Sequence, residues 1–180
     1  MFSESDRRGI VFVDESGVNM AMTLLYARAL IGKRAHASRP DKRGKNVTMI
    51  GALSLKGIIA AMTFKGGNDQ LAFKTYVNEV LVPNLWSGAC VVMDNFSSHK
   101  VTGIKEAIES VGVHLIYLSP YSPEFSPIEN CWSKIKEFLR SQAARTYKDL
   151  DEAITEAMMS ITLNDIIGWF HHCGYSTSPN

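Results

Sequence analysis

Apolar positions along this chain fall into short continuous runs and helical stripes. Gly9–Val13 is an unbroken apolar run and predicts a first strand. Asn46–Ser54 and Gly57–Phe64, rich in β-branched and apolar residues, predict two more strands. Leu55-Lys56-Gly57 joins them as a tight hairpin, with glycine able to take a positive φ. Asn68-Asp69 then offers an N-cap, and Phe73, Val77, Val80 and Leu81 follow at helical spacing until Pro83 stops the helix. Ala89–Met93 is a continuous apolar strand of the kind buried on both faces. Val101, Ile104, Ile108 and Val111 form the next helical stripe, ended by Gly112, and Val113–Leu118 is a fifth strand. A helix over Ser126–Arg145 carries Ile128, Trp132, Ile135 and Leu139 on its apolar side. Two shorter helices follow, around Tyr147–Ile161 and Asn164–His172, and the tail Ser176–Asn180 reads as frayed.

This order predicts an α/β fold, with a central five-stranded mixed sheet flanked by helices on both faces. In such sheets, sites gather where strands end and neighbouring connections diverge. Asp14 and Asp94 stand at the carboxyl ends of two of the predicted strands.

Composition narrows the picture. The 180 residues, 46% of them hydrophobic, suit one domain with a real core. No apolar run approaches the roughly 18 residues that span a bilayer. The first eight residues lack the layout of a signal peptide. Cys90, Cys131 and Cys173 are odd in number and unpaired in spacing, and read as small core residues of a reduced cytoplasmic protein. No G-x-x-x-x-G-K-[ST] occurs, which sets aside a P-loop NTPase. His171-His172-Cys173 has no partner cluster at zinc-ligand spacing and reads as a helix end.

Charge is unevenly spread. Arg28, Lys33, Arg34, Arg39, Lys42, Arg43 and Lys45 are seven basic residues against the single Asp41, a local +6. With a formal net charge of +1, the rest of the chain carries −5. Such a segment is either one face made for a polyanion or a solvated loop.

Three acids invite chemistry, and each has a plainer reading. Asp14 can be an ordinary turn acid before Ser16-Gly17, with Glu15 as a competing carboxylate. Asp94 can belong to a strand-to-helix turn, or be a metal bridge with Asn95 and His99 as supporting or phosphate contacts. Glu129 can complete a capping box in Ser126-Pro127-Ile128-Glu129. The same helix face continues with Ser133, Lys136 and Arg140, a strip suited to phosphates, and Pro120, Pro123 and Pro127 constrain the approach to it. Brought together, three carboxylates would repel unless a divalent cation neutralised them, which is the logic of a two-metal phosphoryl-transfer centre.

Three motif runs carry a family likeness. Val13-Asp14-Glu15-Ser16-Gly17, then Met93 through Lys100, then Leu118 through Glu129 together resemble the catalytic domain of a DDE transposase, of the mariner-type superfamily and its bacterial insertion-sequence branch. The likeness runs from about Gly9 to Tyr175, and 34 residues separate Asp94 from Glu129, within that superfamily's usual range. It implies a ribonuclease H-like fold, with Asp14, Asp94 and Glu129 as the catalytic, metal-binding triad. It also implies Mg²⁺ or Mn²⁺, as two ions, and DNA strand cleavage followed by strand transfer. Glu15, Asn95, His99, Lys136, Arg140 and the basic 28–45 segment would be supporting or DNA-binding residues.

The implied partners are transposon-end and target DNA, with a dimer formed on DNA in the bacterial cytoplasm. Two departures stand out: Ser126 replaces the Asn common in relatives, and only thirteen residues precede Asp14. The expectation is a single catalytic domain over 1–180, without the helix-turn-helix reader that such transposases carry. A separately encoded helix-turn-helix protein is one source of that function, and a truncated, silent DNA-binding remnant is the alternative. A different ribonuclease H-like nuclease is a further reading, against which the third motif argues.

Overall fold

In β1 (Ile10–Val18), Ile10 and Phe12 pack on one face of the sheet and Val11 and Val13 on the other, all at most 2% exposed. Burial on both faces is why this run shows no polar alternation. The computed structural model describes residues 9–36, 38, 40–67, 70–95, 102–119 and 122–175. Of the sequence expectations, Asn68, Asp69, Val101 and the tail 176–180 lie outside these residues.

β2 (Val47–Ser54) pairs antiparallel with β1, and β3 (Gly57–Lys65) pairs antiparallel with β2. Gly57 takes φ 125° at the hairpin, a conformation that side chains rarely adopt. β4 (Cys90–Met93) and β5 (His114–Tyr117) extend the other edge in parallel. The order β3-β2-β1-β4-β5 is the expected five-stranded mixed sheet.

One face is covered by α1 (Gln70–Thr75) and α2 (Ile104–Glu109). α1 continues as a π-helical stretch, Tyr76–Leu81, and a 3₁₀ turn, Val82–Asn84. Phe73, Tyr76, Val77, Leu81, Ile104 and Ile108 bury that face. The other face is covered by α3 (Pro127–Gln142), α4 (Tyr147–Met159) and α5 (Leu163–His172). There Phe12 meets Phe170 edge-on, ring centroids 5.5 Å apart, a favoured aromatic geometry. α3 stops short of the expected Arg145 because Ala143 turns left-handed at φ 49°, and its N–H closes on Leu139 O at 3.1 Å.

One strand boundary bears on function. β1 does not end at Asp14: β2 offers pairing partners as far as Val18↔Val47, so the strand runs on through Glu15, Ser16 and Gly17. Only the parallel partner β4 stops, at Met93. Glu15 is therefore a strand residue and not part of a turn.

At the start of α5, Thr162 and Asp165 form a reciprocal capping box, with Thr162 N–H donating to Asp165 Oδ2 at 2.8 Å. Lys134 Nζ of α3 reaches the same oxygen at 2.6 Å, tying two helices together. The Lys134 bond, then the Thr162 bonds, hold the Asp165 carboxyl down at about 2. A depressed carboxyl stabilises the fold fully above the ordinary value of 3.8, and that contribution fades as pH falls towards 2. Asp165→Ala is therefore expected to lower stability by about 1 kcal/mol at pH 7, the group being partly exposed. In thermal melts the gap from the parent should narrow at pH 3. A gap of the same size at both pH values would refute the assignment.

Candidate functional site

Val13 and Met93 are paired across the parallel β1–β4 ladder, so the next residues, Asp14 and Asp94, leave it side by side. Strand alternation puts Asp14 on the face of Ile10 and Phe12, beneath α3. The chain enters α3 through a 3₁₀ turn, Pro123–Phe125, whose Phe125 carbonyl accepts from Tyr175 Oη at 2.9 Å. Tyr175 is itself packed edge-on against Phe12 and Phe170, so the turn is anchored to the core. Glu129 follows in the first turn of α3. Asp14, Asp94 and Glu129 thereby line one cleft of about 350 Å³, together with Asn95, Ser119 and Ser122. No Lys, Arg or His lines it among the described residues.

The capping box that Ser126 and Glu129 could form at α3 is not made. Ser126 is the N-cap, but its side chain makes no cap hydrogen bond. The Glu129 N–H is met by the Ser126 carbonyl at 3.1 Å. Glu129 is exposed and lines the cleft, so helix capping does not account for it.

Asp14 is half-buried, and Trp132 Nε1 donates to its Oδ2 at 3.0 Å. Burial, and after it the negative charge of Glu129, push the Asp14 carboxyl up to about 7. Glu15 and Asp94 add to the rise, and a backbone hydrogen bond at Glu15 opposes it. A buried carboxylate among carboxylates is a site short of positive charge.

Trp132 and Gly51 are the residues that the apolar pattern hid. Trp132 reads in sequence as core, and it is only 2% exposed, yet its indole N–H serves Asp14. Gly51 lies opposite Asp14 in the β1–β2 register, and a Cβ there would stand 2.8 Å from Trp132 Cη2. Two sequence signals bear on Trp132, and none on Gly51. Glu129 and Trp132 are three apart on one helix face, and a buried indole N–H requires an acceptor.

Other candidates stand elsewhere. Glu15 is on the opposite face of β1, where its charge adds to the burial that raises the Tyr76 hydroxyl. Asn95 lines the cleft, while His99 and Arg39 lie outside the described residues. Lys136 and Arg140 line a separate groove against the segment that follows β1. Arg28, Lys33, Arg34, Lys42, Arg43 and Lys45 are exposed on a stretch that, among its described residues, has no helix or strand. Its far end is fixed by a bond from the Lys45 N–H to Tyr147 Oη at 2.7 Å. No helix among the described residues is long and apolar enough to cross a membrane.

Comparison with known proteins adds three findings. The family model of the DDE superfamily endonuclease matches residues 9–152. Among solved structures, the Mos1 transposase paired-end complex with left transposon end superposes with a TM-score of 0.78 at 17% identity, over 94% of this chain and 53% of that one. A Mos1 mariner paired-end complex with Mn gives 0.73 at 16% identity, over 94% of this chain and 54% of that one. The catalytic domain of Mos1 mariner transposase gives 0.66 at 15% identity, over 94% and 79%. At these identities the agreement is one of fold, and the fold is the expected ribonuclease H-like one. This chain spans about half the length of the Mos1 chain in the paired-end complex. No curated protein matches the sequence.

Proposed function

This chain belongs to the DDE superfamily endonuclease family, and on that basis we propose that it cleaves DNA strands and transfers them with the help of divalent cations. Asp14, Asp94 and Glu129 are the catalytic carboxylates. The observation that carries this reading is their arrival from three separate elements on one cleft that no described cation lines. The donor set fits Mg²⁺ or Mn²⁺, hard ions that prefer carboxylate oxygen. Among the described residues, no three His, Cys, Asp or Glu side chains stand close enough to hold an ion as they are. Asp94 and Glu129 are exposed side chains beside a half-buried Asp14, and a bound cation would draw the three together.

When bound, two such cations would polarise the scissile phosphate and make water or a 3′-hydroxyl a competent nucleophile. The chain's own residues do the rest. Asp14 is held by Trp132, Glu129 approaches from the helix start, and Asn95, which lines the same cleft, would meet a phosphate oxygen. The basic 28–45 segment, with Lys136 and Arg140, grips DNA backbone without reading bases, which makes affinity salt-sensitive. The run from Leu118 to Glu129 supports the finer placement in the mariner-type superfamily's insertion-sequence branch, with transposon ends and target as substrates and a dimer on DNA. The fold shared with a Mos1 transposase complexed with a transposon end supports the same substrates.

A plasmid-nicking assay tests the reading. With Mn²⁺ or Mg²⁺ the protein should convert supercoiled DNA to the nicked form, and EDTA should stop it. Asp94→Ala should cut the rate by more than about 100-fold while the domain stays folded. Nicking by Asp94→Ala at the parent's rate would show the triad to be wrong.

A further inference from the structure

Trp132 holds two relations that packing alone does not demand. Its indole N–H is spent on one oxygen of Asp14, at 3.0 Å. Its ring also lies against Gly51, the residue paired with Asp14 across the β1–β2 ladder. Gly51 is buried in the middle of a strand, where glycine is ordinarily unfavourable and marks a close approach by another group. A Cβ at 51 would meet Trp132 Cη2 at 2.8 Å and Cζ2 at 3.2 Å, so any larger residue displaces the ring and the N–H with it.

We propose that Trp132 is a positioning residue for Asp14, its indole N–H setting the carboxylate for a divalent cation and Gly51 supplying the space the ring needs. This rests on the reading of Asp14 as a cation-binding carboxylate. A carboxylate with one oxygen tied to a rigid, buried donor cannot rotate at will, so its oxygens meet an arriving cation in one orientation. Glu129 and Asp94 are exposed side chains, whereas Asp14 is half-buried. The helix that brings Glu129 to the cleft also brings the group that orients Asp14. Glu129 and Trp132 stand at i and i+3 in that helix, so they are neighbours on its surface.

The test is Mn²⁺ binding by calorimetry on the whole chain, with nicking measured in parallel. Trp132→Phe keeps an aromatic ring and removes the N–H. Site-specific benzothienylalanine at 132 keeps the indole shape and replaces the N–H with sulfur, while 5-fluorotryptophan keeps the N–H. The expected result is Mn²⁺ affinity about 10-fold weaker for the first two and close to the parent for 5-fluorotryptophan. A purely structural role would lower the metal-free melting temperature without separating the two isosteres. Gly51→Ala should weaken Mn²⁺ binding similarly through the displaced ring. Asp14→Asn separates the two readings. If it loses Mn²⁺ binding while the benzothienyl variant keeps the parent's affinity, the positioning role is overturned and the Asp14 reading stands. If Asp14→Asn binds as the parent does, or the parent binds no Mn²⁺, both fall.

Discussion

Asp14→Asn is expected to make the cation-free protein more stable at neutral and alkaline pH, although it removes a residue of the candidate site. Burial and the charge of Glu129 raise the Asp14 carboxyl from 3.8 to about 7. Between those values the folded chain holds a proton that the unfolded chain gives up. Stability of the parent therefore falls as pH rises from about 4 to about 7, and the full cost persists above that. Asparagine cannot ionise, and its carbonyl can still accept from Trp132. At about 1.4 kcal/mol per pH unit, and discounting for the open side of the cleft, the gain at pH 8 is on the order of 1–3 kcal/mol. For a chain of this size that is about 3–9 °C in melting temperature. The gain should vanish near pH 4. Saturating Mg²⁺ should close the gap and, over most of that range, reverse the ranking, because a ligand at about 100 times its Kd adds roughly 2.7 kcal/mol to the parent alone. Calorimetric melts at pH 4 and pH 8, with and without Mg²⁺, decide the matter. Equal melting temperatures for parent and variant at pH 8 without metal would refute the electrostatic account of the cleft.

The largest loss of stability is expected from Trp132→Ala. The side chain is 2% exposed and packs among Phe12, Met49, Ile128 and their neighbours, between the sheet and α3. Truncating a buried aromatic of this size costs about 3–5 kcal/mol through lost burial and the void left behind. Asp14 also loses its indole donor inside a partly desolvated site, which adds to the cost. Against a typical domain stability of about 5–15 kcal/mol, the melting temperature should drop by roughly 10 °C or more. Circular dichroism melts of Trp132→Ala and Trp132→Phe show whether this holds. Trp132→Phe should recover most of the loss, since it keeps an aromatic ring in the core. A Trp132→Ala protein melting within about 2 °C of the parent would mean that the α3 interface is not the core described above.

What could be read along the chain is what depends on neighbours in sequence. Unbroken apolar runs marked strands buried on both faces, as in Ile10–Val13 and Cys90–Met93. A stripe at helical spacing marked α3, two shorter helices were read after it where α4 and α5 stand, and Leu55-Lys56-Gly57 marked the hairpin. The three acids were legible as candidates because motif runs surround them, though no local rule separates a cleft carboxylate from a capping one. Local rules also misplaced boundaries. Asp14 reads as a strand end, and β1 continues because β2 offers it partners, which is a fact about a distant segment. Ser126 and Glu129 have the residue types of a capping box, yet the backbone at the helix start satisfies the amide by another route.

Pairings between distant residues were settled only in three dimensions. Trp132 and Asp14 are 118 residues apart, and nothing in either neighbourhood names the other. Their meeting follows from sheet register and from how α3 lies across it, with Gly51 leaving room for the ring. Strand alternation sends Glu15 and Asp14 to opposite faces, and the fold decides that the cleft lies on the face of Asp14 and Tyr76 on that of Glu15. Periodicity and turn chemistry act over a few residues and can be read from them. Which carboxylate is desolvated, and which donor reaches it, depends on contacts summed over the whole fold.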